Sequence, residues 1–483
     1  MIDADSTPPE VVPRRWLALT VLALAQVLLV LDSTVVNVAL PSIQRHFHLA
    51  DAHLAWIVNG YALAFGGLLL LGGRLADLYG RRRMFLIGIA VFSTASFFAG
   101  IAWSANVIVA MRFVQGGAAA MIAPAALSSI SRIFTEPKER ARALGVWGGL
   151  SALGGTLGVV LSGVLTALAS WRWVFLVNVP ITLLALVLAP RLVPESRAPG
   201  KPKLDVVGAI LVTLGIGTAV FALLDKGEHP WTDSTLLLRL LTAAVLLLCF
   251  VGWESRVEAP MVPLDIFANR TRAVGVTAIV LFGSVFSTYF FSTTLYLQTV
   301  LGFSALRTGF AYLPFGFVVL LTFPVVSLLV TRIGIRPIMT FGLLSAVFGL
   351  LYLSMLQADG TYLEDVLPGM LLLGIGASCG FVTFTIAGVD GTTDENAGIA
   401  SGIVNAGSQI GGALGLATLV TIAISVQVSG LAHGSSPAQA TVDGFSAAYK
   451  VGACILTVAA AIVVVFLRAP VPAPDAPVPA AVL

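Results

Sequence analysis

Long apolar runs alternate with short polar segments along the whole chain. Fourteen runs stand out, at about residues 16–40, 54–75, 84–103, 107–131, 143–168, 172–190, 206–224, 235–253, 273–299, 308–330, 336–356, 366–389, 397–428 and 445–467. Each is close to or longer than the ~20 apolar residues an α-helix needs to cross a bilayer core. The connections are short and polar, as expected where helix must satisfy the backbone within the membrane. The pattern predicts an all-α polytopic membrane protein with 14 transmembrane helices. The run from Trp16 to Leu40 is too long for the apolar region of a cleavable signal peptide and has no small-residue cleavage site at its end, so it reads as a retained first span. The tail from Ala469 to Leu483 repeats Pro and Ala and reads as disordered.

Orientation follows from Lys and Arg, which concentrate in cytoplasmic loops. With the N-terminus placed inside, 20 of the 27 fall on the cytoplasmic side and 6 outside, while Arg112 lies within a span. Both termini are therefore expected in the cytoplasm. Composition agrees: 58% of residues are hydrophobic, 11% charged, and the mean hydropathy is +0.97. A soluble protein carries about 25% charged residues, so a soluble enzyme is excluded. A net charge of +3, spread over one membrane face, argues against nucleic-acid binding. Cys249, Cys379 and Cys454 all lie in apolar runs and read as small packing residues rather than a disulfide or metal set. All five histidines fall in external loops and read as solvated.

The chain also repeats itself. A shift of 257 residues matches Gly145, Ser151, Gly154, Gly155 and Gly158 with Gly402, Ser408, Gly411, Gly412 and Gly415. A shift of 254 matches Gly80 with Gly334 and Arg82 with Arg336. Transporters are often built from such repeats. The matches predict two six-helix bundles, 16–190 and 273–467, flanking a two-helix insert with cytoplasmic linkers, 191–272. Residues 1–15 form an N-terminal cytoplasmic segment and 468–483 the tail.

Ionisable residues inside spans are costly and mark function by default. Asp32 lies roughly 24 Å along the first span from its cytoplasmic end, and Arg112 roughly 8 Å in from the outer end of the fourth. Both fall in the outer half, at similar depth, where each can satisfy the other. Two readings stay open: a static ion pair that fixes two helices, and a protonatable carboxylate set between burial and a neighbouring cation. The stretch from Gly73 to Arg83, GRLADLYGRRR, joins the second and third spans. It serves either as a topology anchor or as a conformational element.

That stretch resembles the signature loop of the major facilitator superfamily. Leu31 to Pro41, LDSTVVNVALP, looks like the first-span motif of its fourteen-helix drug:proton antiporters, and Met111 to Gly116, MRFVQG, like their fourth-span motif. Tyr296-Leu297-Gln298 and Leu313-Pro314-Phe315-Gly316 match their pattern around spans 9 and 10. The resemblance covers about residues 14 to 468. It implies that Gly73, Asp77, Gly80 and Arg81 form a cytoplasmic latch between the halves. It further implies that Arg112 serves proton coupling, and that Asp32 lies at or near the proton and substrate path. The fifth-span motif is kept at Gly154, Gly158 and Gly163, but Val159 and Ser162 replace its proline and a glycine. The kink that a proline causes is therefore not expected. The second half has Met370 opposite Arg112 and Thr331 opposite Asp77, so the chemistry is asymmetric.

Candidate cavity residues are Asn37, Asn59, Tyr61, Gln115, Phe286, Tyr289, Gln298, Asn405 and Gln409. An aromatic cavity with few polar groups suits a hydrophobic or amphipathic organic compound. The expected function is proton-coupled export of such compounds, drugs or antibiotics, across the cell membrane by alternating access. The alternatives are an exporter of an endogenous metabolite or amino acid, and a non-transporting sensor with the same fold. The partners are a small organic substrate, protons and the lipid bilayer, with the protein acting as a monomer. No GxxxxGK[ST] loop occurs. No cofactor is therefore expected, and a proton gradient is the expected energy source.

Overall fold

A computed structural model describes residues 15–197, 204–225, 232–392 and 397–467. The expected N-terminal segment up to Arg14, part of the linker before the insert and the Pro/Ala tail lie outside the described residues. The described chain is helical, with no strand among the described residues. The first bundle comprises α1 (Arg15–Phe47), α2 (Asp51–Tyr79), α3 (Arg81–Gly100), α4 (Ala105–Ile133), α5 (Pro137–Leu168), the short α6 (Trp173–Leu176) and α7 (Asn178–Leu192). The insert is α8 (Val206–Leu224) and α9 (Ser234–Glu254). The second bundle comprises α10 (Arg270–Leu295), α11 (Ala305–Ala311), α12 (Leu313–Ile333), α13 (Ile335–Leu353), α14 (Leu367–Gly388), α15 (Ala397–Ala432) and α16 (Pro437–Phe466).

Thirteen described segments are long and apolar enough to cross a membrane. They match every expected run except the fifth, which α5 occupies as one continuous helix with Leu157–Leu168 as its described apolar part. Helices run beyond the apolar stretches. α1 continues past Pro41 to Phe47, and α16 starts at Pro437, well before the expected 445. Local capping sets several starts. Ser104, Asp205, Asp233, Asn269, Ser304 and Ser436 each accept a hydrogen bond from a backbone N–H of the first turn. The repeat is visible in backbone conformation. Gly80 and Gly334 join α2 to α3 and α12 to α13 with φ of 110° and 82°, a region that side chains with a Cβ rarely enter.

Within the first bundle α2 packs on α4, α1 on α5, and α3 on α4 and α7. Within the second, α10 packs on α15, α13 on α14 and α16, and α12 on α14. Between them α2 meets α15 and α5 meets α11, while α8 touches both α2 and α15. The outward faces are apolar: Leu238, Leu248, Phe317 and Phe348 are 60–70% exposed. Such a surface is stable against lipid rather than water. Of the three cysteines only Cys379 is buried. Cys249 and Cys454 are exposed, so the expected packing role holds for Cys379 alone.

Candidate functional site

α1 carries Asp32 into the centre of the first bundle, where it is fully buried. Arg112 on α4 is also buried and donates from Nη1 to Asp32 Oδ2 at 2.5 Å. Arg112 Nε donates to Ile57 O of α2 at 2.9 Å, and Nη1 also reaches Gln115 Oε1 at 3.2 Å. Its guanidinium sits 4.5 Å from the centre of the Tyr61 ring, a cation–π contact. Tyr61 in turn donates to Leu29 O at 3.4 Å.

The other carboxylate oxygen is held separately. Asp32 Oδ1 accepts from Gln115 Nε2 at 3.0 Å and from Asn178 Nδ2, at the start of α7, at 2.7 Å. Gln115 Nε2 also donates to Ser96 of α3 at 2.8 Å. Three helices, α1, α4 and α7, therefore meet at one carboxylate through charge-assisted hydrogen bonds, the strong kind, and α2 and α3 join the network through Arg112 and Gln115. A buried pair of this sort is not a source of net stability by itself, yet losing one partner costs about 3–5 kcal/mol because the other charge is left uncompensated.

The similar depths of Asp32 and Arg112 thus correspond to direct contact. Asn178 and Ser96 were missed. Asn178 is a carboxamide within an otherwise apolar run, which is the signal that marks it in hindsight.

The GRLADLYGRRR turn closes on itself and on the segment after α7. Arg81 Nη2 donates to Asp77 Oδ1 at 2.9 Å. Glu195 accepts from the backbone N–H groups of Arg82 and Arg83 at 3.1 and 3.2 Å, capping α3 from a distance, and Arg81 N donates to Ser196 O at 2.9 Å. Gly73 lies against Pro124 of α4. The side-chain partner seen for Asp77 is thus Arg81 of its own turn.

Fifth-span glycines bring helices close. Gly154 lies against Val30 and Gly158 against Leu31 and Thr34, both on α1. Ser162, at a glycine position of the resembling motif, donates to Val35 O of α1. Gly163 faces Gly309 of α11, and a Cβ on Gly163 would lie 2.7 Å from Ala305 O. At that same end Gln298 Nε2 donates to Val38 O at 2.9 Å, joining the bundles.

The nine candidate cavity residues do not share one space. Tyr61 and Gln115 belong to the Asp32 network. Tyr289 is fully buried in an aromatic cluster with Phe286, Phe290, Tyr312 and Phe315, so in this conformation it lines no open cavity. Asn37 is buried and bonded to its own helix. Asn59 is fully buried with no hydrogen-bond partner for its carboxamide among the described residues. Asn405 is exposed and donates to Ser401 O, and Gln409 packs its stem against Gly66 of α2.

Residues 22–416 match the Major Facilitator Superfamily. The chain is 39% identical to the puromycin resistance protein pur8 of Streptomyces alboniger, covering 94% of this chain and 92% of that protein. It is 38% identical to the lincomycin resistance protein of Streptomyces lincolnensis, with 86% of each covered. It is 37% identical to the cephamycin export protein CmcT of Amycolatopsis lactamdurans, covering 87% and 86%. Among solved structures, a POT family peptide transporter aligns with a TM-score of 0.67 at 16% identity, covering 93% of this chain and 97% of that one. An inward-facing bacterial homologue of the lysosomal transporter Spinster aligns at 0.63 and 17% identity, covering 93% and 96%. The chain is a multi-pass membrane transporter, not an enzyme, and belongs to the major facilitator superfamily.

Proposed function

We propose that the protein is a proton-coupled exporter of hydrophobic or amphipathic organic compounds, antibiotics among them, in the cell membrane. The observation that carries the reading is the fully buried Asp32, held by Arg112, Gln115 and Asn178. A carboxylate in that setting costs free energy when charged unless every partner is in place. A proton on Asp32 removes its attraction to Arg112 and frees donors on two other helices, α4 and α7, at once. Reloading and release of that proton then bias the packing of α1, α4 and α7, which is the requirement for driving alternating access. The relatives named for antibiotic resistance and export support the substrate class. CmcT, named as a cephamycin export protein, leaves as a second reading the export of an endogenous metabolite.

In this reading both termini are cytoplasmic and the protein works as a monomer, using no cofactor beyond the proton gradient. The bundles meet near Gly163, Gly309 and Gln298, at the end away from the basic turns, while Asp77 pairs within its own turn. That combination fits a conformation closed toward the outside with the latch disengaged. Inverted membrane vesicles with an imposed pH gradient test the function. Dyes and antibiotics should accumulate, and dissipating the gradient should stop them. Accumulation indifferent to the gradient, or absent for the whole panel, would reject the proposal. Reporter fusions to the Pro/Ala tail test the orientation.

A further inference from the structure

A pair of acids is buried at the base of the inserted helices, remote in sequence from Asp32. Of the 21 residues of α9 only Leu236, Ala243 and Glu254 are buried. Leu237, Leu238, Leu241 and Leu248 of this helix face outward while its terminal acid is 3% exposed. Asp205, the cap of α8, is 6% exposed. Each acid spends one oxygen on donors. Asp205 Oδ1 accepts from Gly208 N and from Trp253 Nε1, both at 2.8 Å, and Glu254 Oε2 accepts from Val262 N at 3.0 Å. The remaining oxygens, Asp205 Oδ2 and Glu254 Oε1, are buried without a donor among the described residues. Both converge over Gly208, where any Cβ would collide with them, and the two side chains are within hydrogen-bond reach of each other.

Two ionised carboxylates in this position would leave two unsatisfied acceptors and would repel each other with little water between them. The groups acting on Glu254 are Asp205 and the Val262 and Met261 amides. Between α9 and Val262 the charged residues are Arg256 and Glu258, and Arg256 turns back to donate to Gly252 O at 3.1 Å. One proton satisfies both free oxygens, because a carboxyl O–H on either residue donates to the other. We propose that Asp205 and Glu254 share one proton and form a proton-binding site in the insert, separate from Asp32. The shared proton ties the start of α8 to the end of α9 and, through Val262, to the segment leading into the second bundle. Since α8 packs on α2 of one bundle and α15 of the other, release of the proton loosens a helix that braces both.

The test is the melting temperature of the purified full chain in detergent, measured from mildly acidic to alkaline pH. The folded pair holds a proton that separated carboxylates of the unfolded chain have released, so stability is lost as pH rises. The wild type should melt several degrees lower at the alkaline end. Glu254→Gln and Asp205→Asn each place an amide N–H where the proton sat, and both should flatten that decline. Asp32→Asn should leave it in place. If one variant does not fold, the other still reports. A wild-type decline that both variants retain, or no decline at all, overturns the proposal. So does a rise in the wild-type melting temperature with Na⁺ or K⁺ over choline that the variants lack, since a metal cation would then fill the site. The readout does not depend on transport, so the export reading and this one fail separately.

Discussion

Gln115 and Asn178 donate to the same oxygen of Asp32, at 3.0 and 2.7 Å, and leave the other oxygen to Arg112. The carboxylate is thus divided between a neutral side and a cationic side. In the proposed mechanism a proton on Asp32 disturbs contacts to α4 and α7 together, which would tie protonation to helix packing.

Asp32→Asn should abolish gradient-driven export while the protein still inserts and binds substrate. The Asn carboxamide fills the same space but carries no exchangeable charge. Dye transport and equilibrium binding measured on the same proteoliposome preparation check this. Undiminished gradient-driven transport would remove Asp32 from the coupling step.

Asn178→Ala should weaken coupling in a graded way. It removes one donor to the ionised carboxylate, a loss of about 1.5–3 kcal/mol. Ionised Asp32 is then left with Arg112 and Gln115 as partners, so the pH–rate profile of transport should differ from that of the wild type. A pH–rate profile identical to wild type would leave Asn178 a packing residue.

The turn between α2 and α3 depends on Glu195. Replacing Glu195 with Ala removes the acceptor for the Arg82 and Arg83 amides and should cost about 1 kcal/mol, as loss of a helix cap does. Asp77→Asn should leave this cap intact yet depress transport, because it changes only the Asp77–Arg81 contact and the latch proposed from it. Melting curves and transport rates of the two variants should therefore separate. Equal transport in Asp77→Asn and wild type would reduce the loop to a topology anchor.

Close approach of Gly163 and Gly309 holds α5 against α11. Gly163→Val should force these helices apart at a cost of about 1–3 kcal/mol to this conformation. A shift of that size changes the balance between conformations about fivefold or more. Cysteine accessibility on α11 from the side of the α5–α11 contact should rise, and transport should fall without loss of expression. Unchanged accessibility would mean the contact does not set the conformational balance.

Helix number and the two charges at matching depth were legible in the chain because they follow from local quantities: apolar run length and rise per residue. Asp32 and Arg112 stand out in any such reading, since lipid tolerates few charges. The repeat matching Gly80 with Gly334 was legible too, because positive φ at a tight turn demands glycine. What the local pattern does not contain is which faces meet. Asn178 reached Asp32 only when α7 packed beside α1, and Ser96 reached Gln115 only when α3 packed on α4; a lone polar residue in an apolar run does not name its partner. Tyr289 and Phe286 sit at helical spacings that suit a cavity wall or a packed core equally, and the neighbouring rings on α12 decided for packing. Asp205 and Glu254 look like ordinary boundary acids at two helix ends. Their meeting over Gly208 depends on α8 and α9 lying side by side, a contact across about fifty residues that period and composition do not encode.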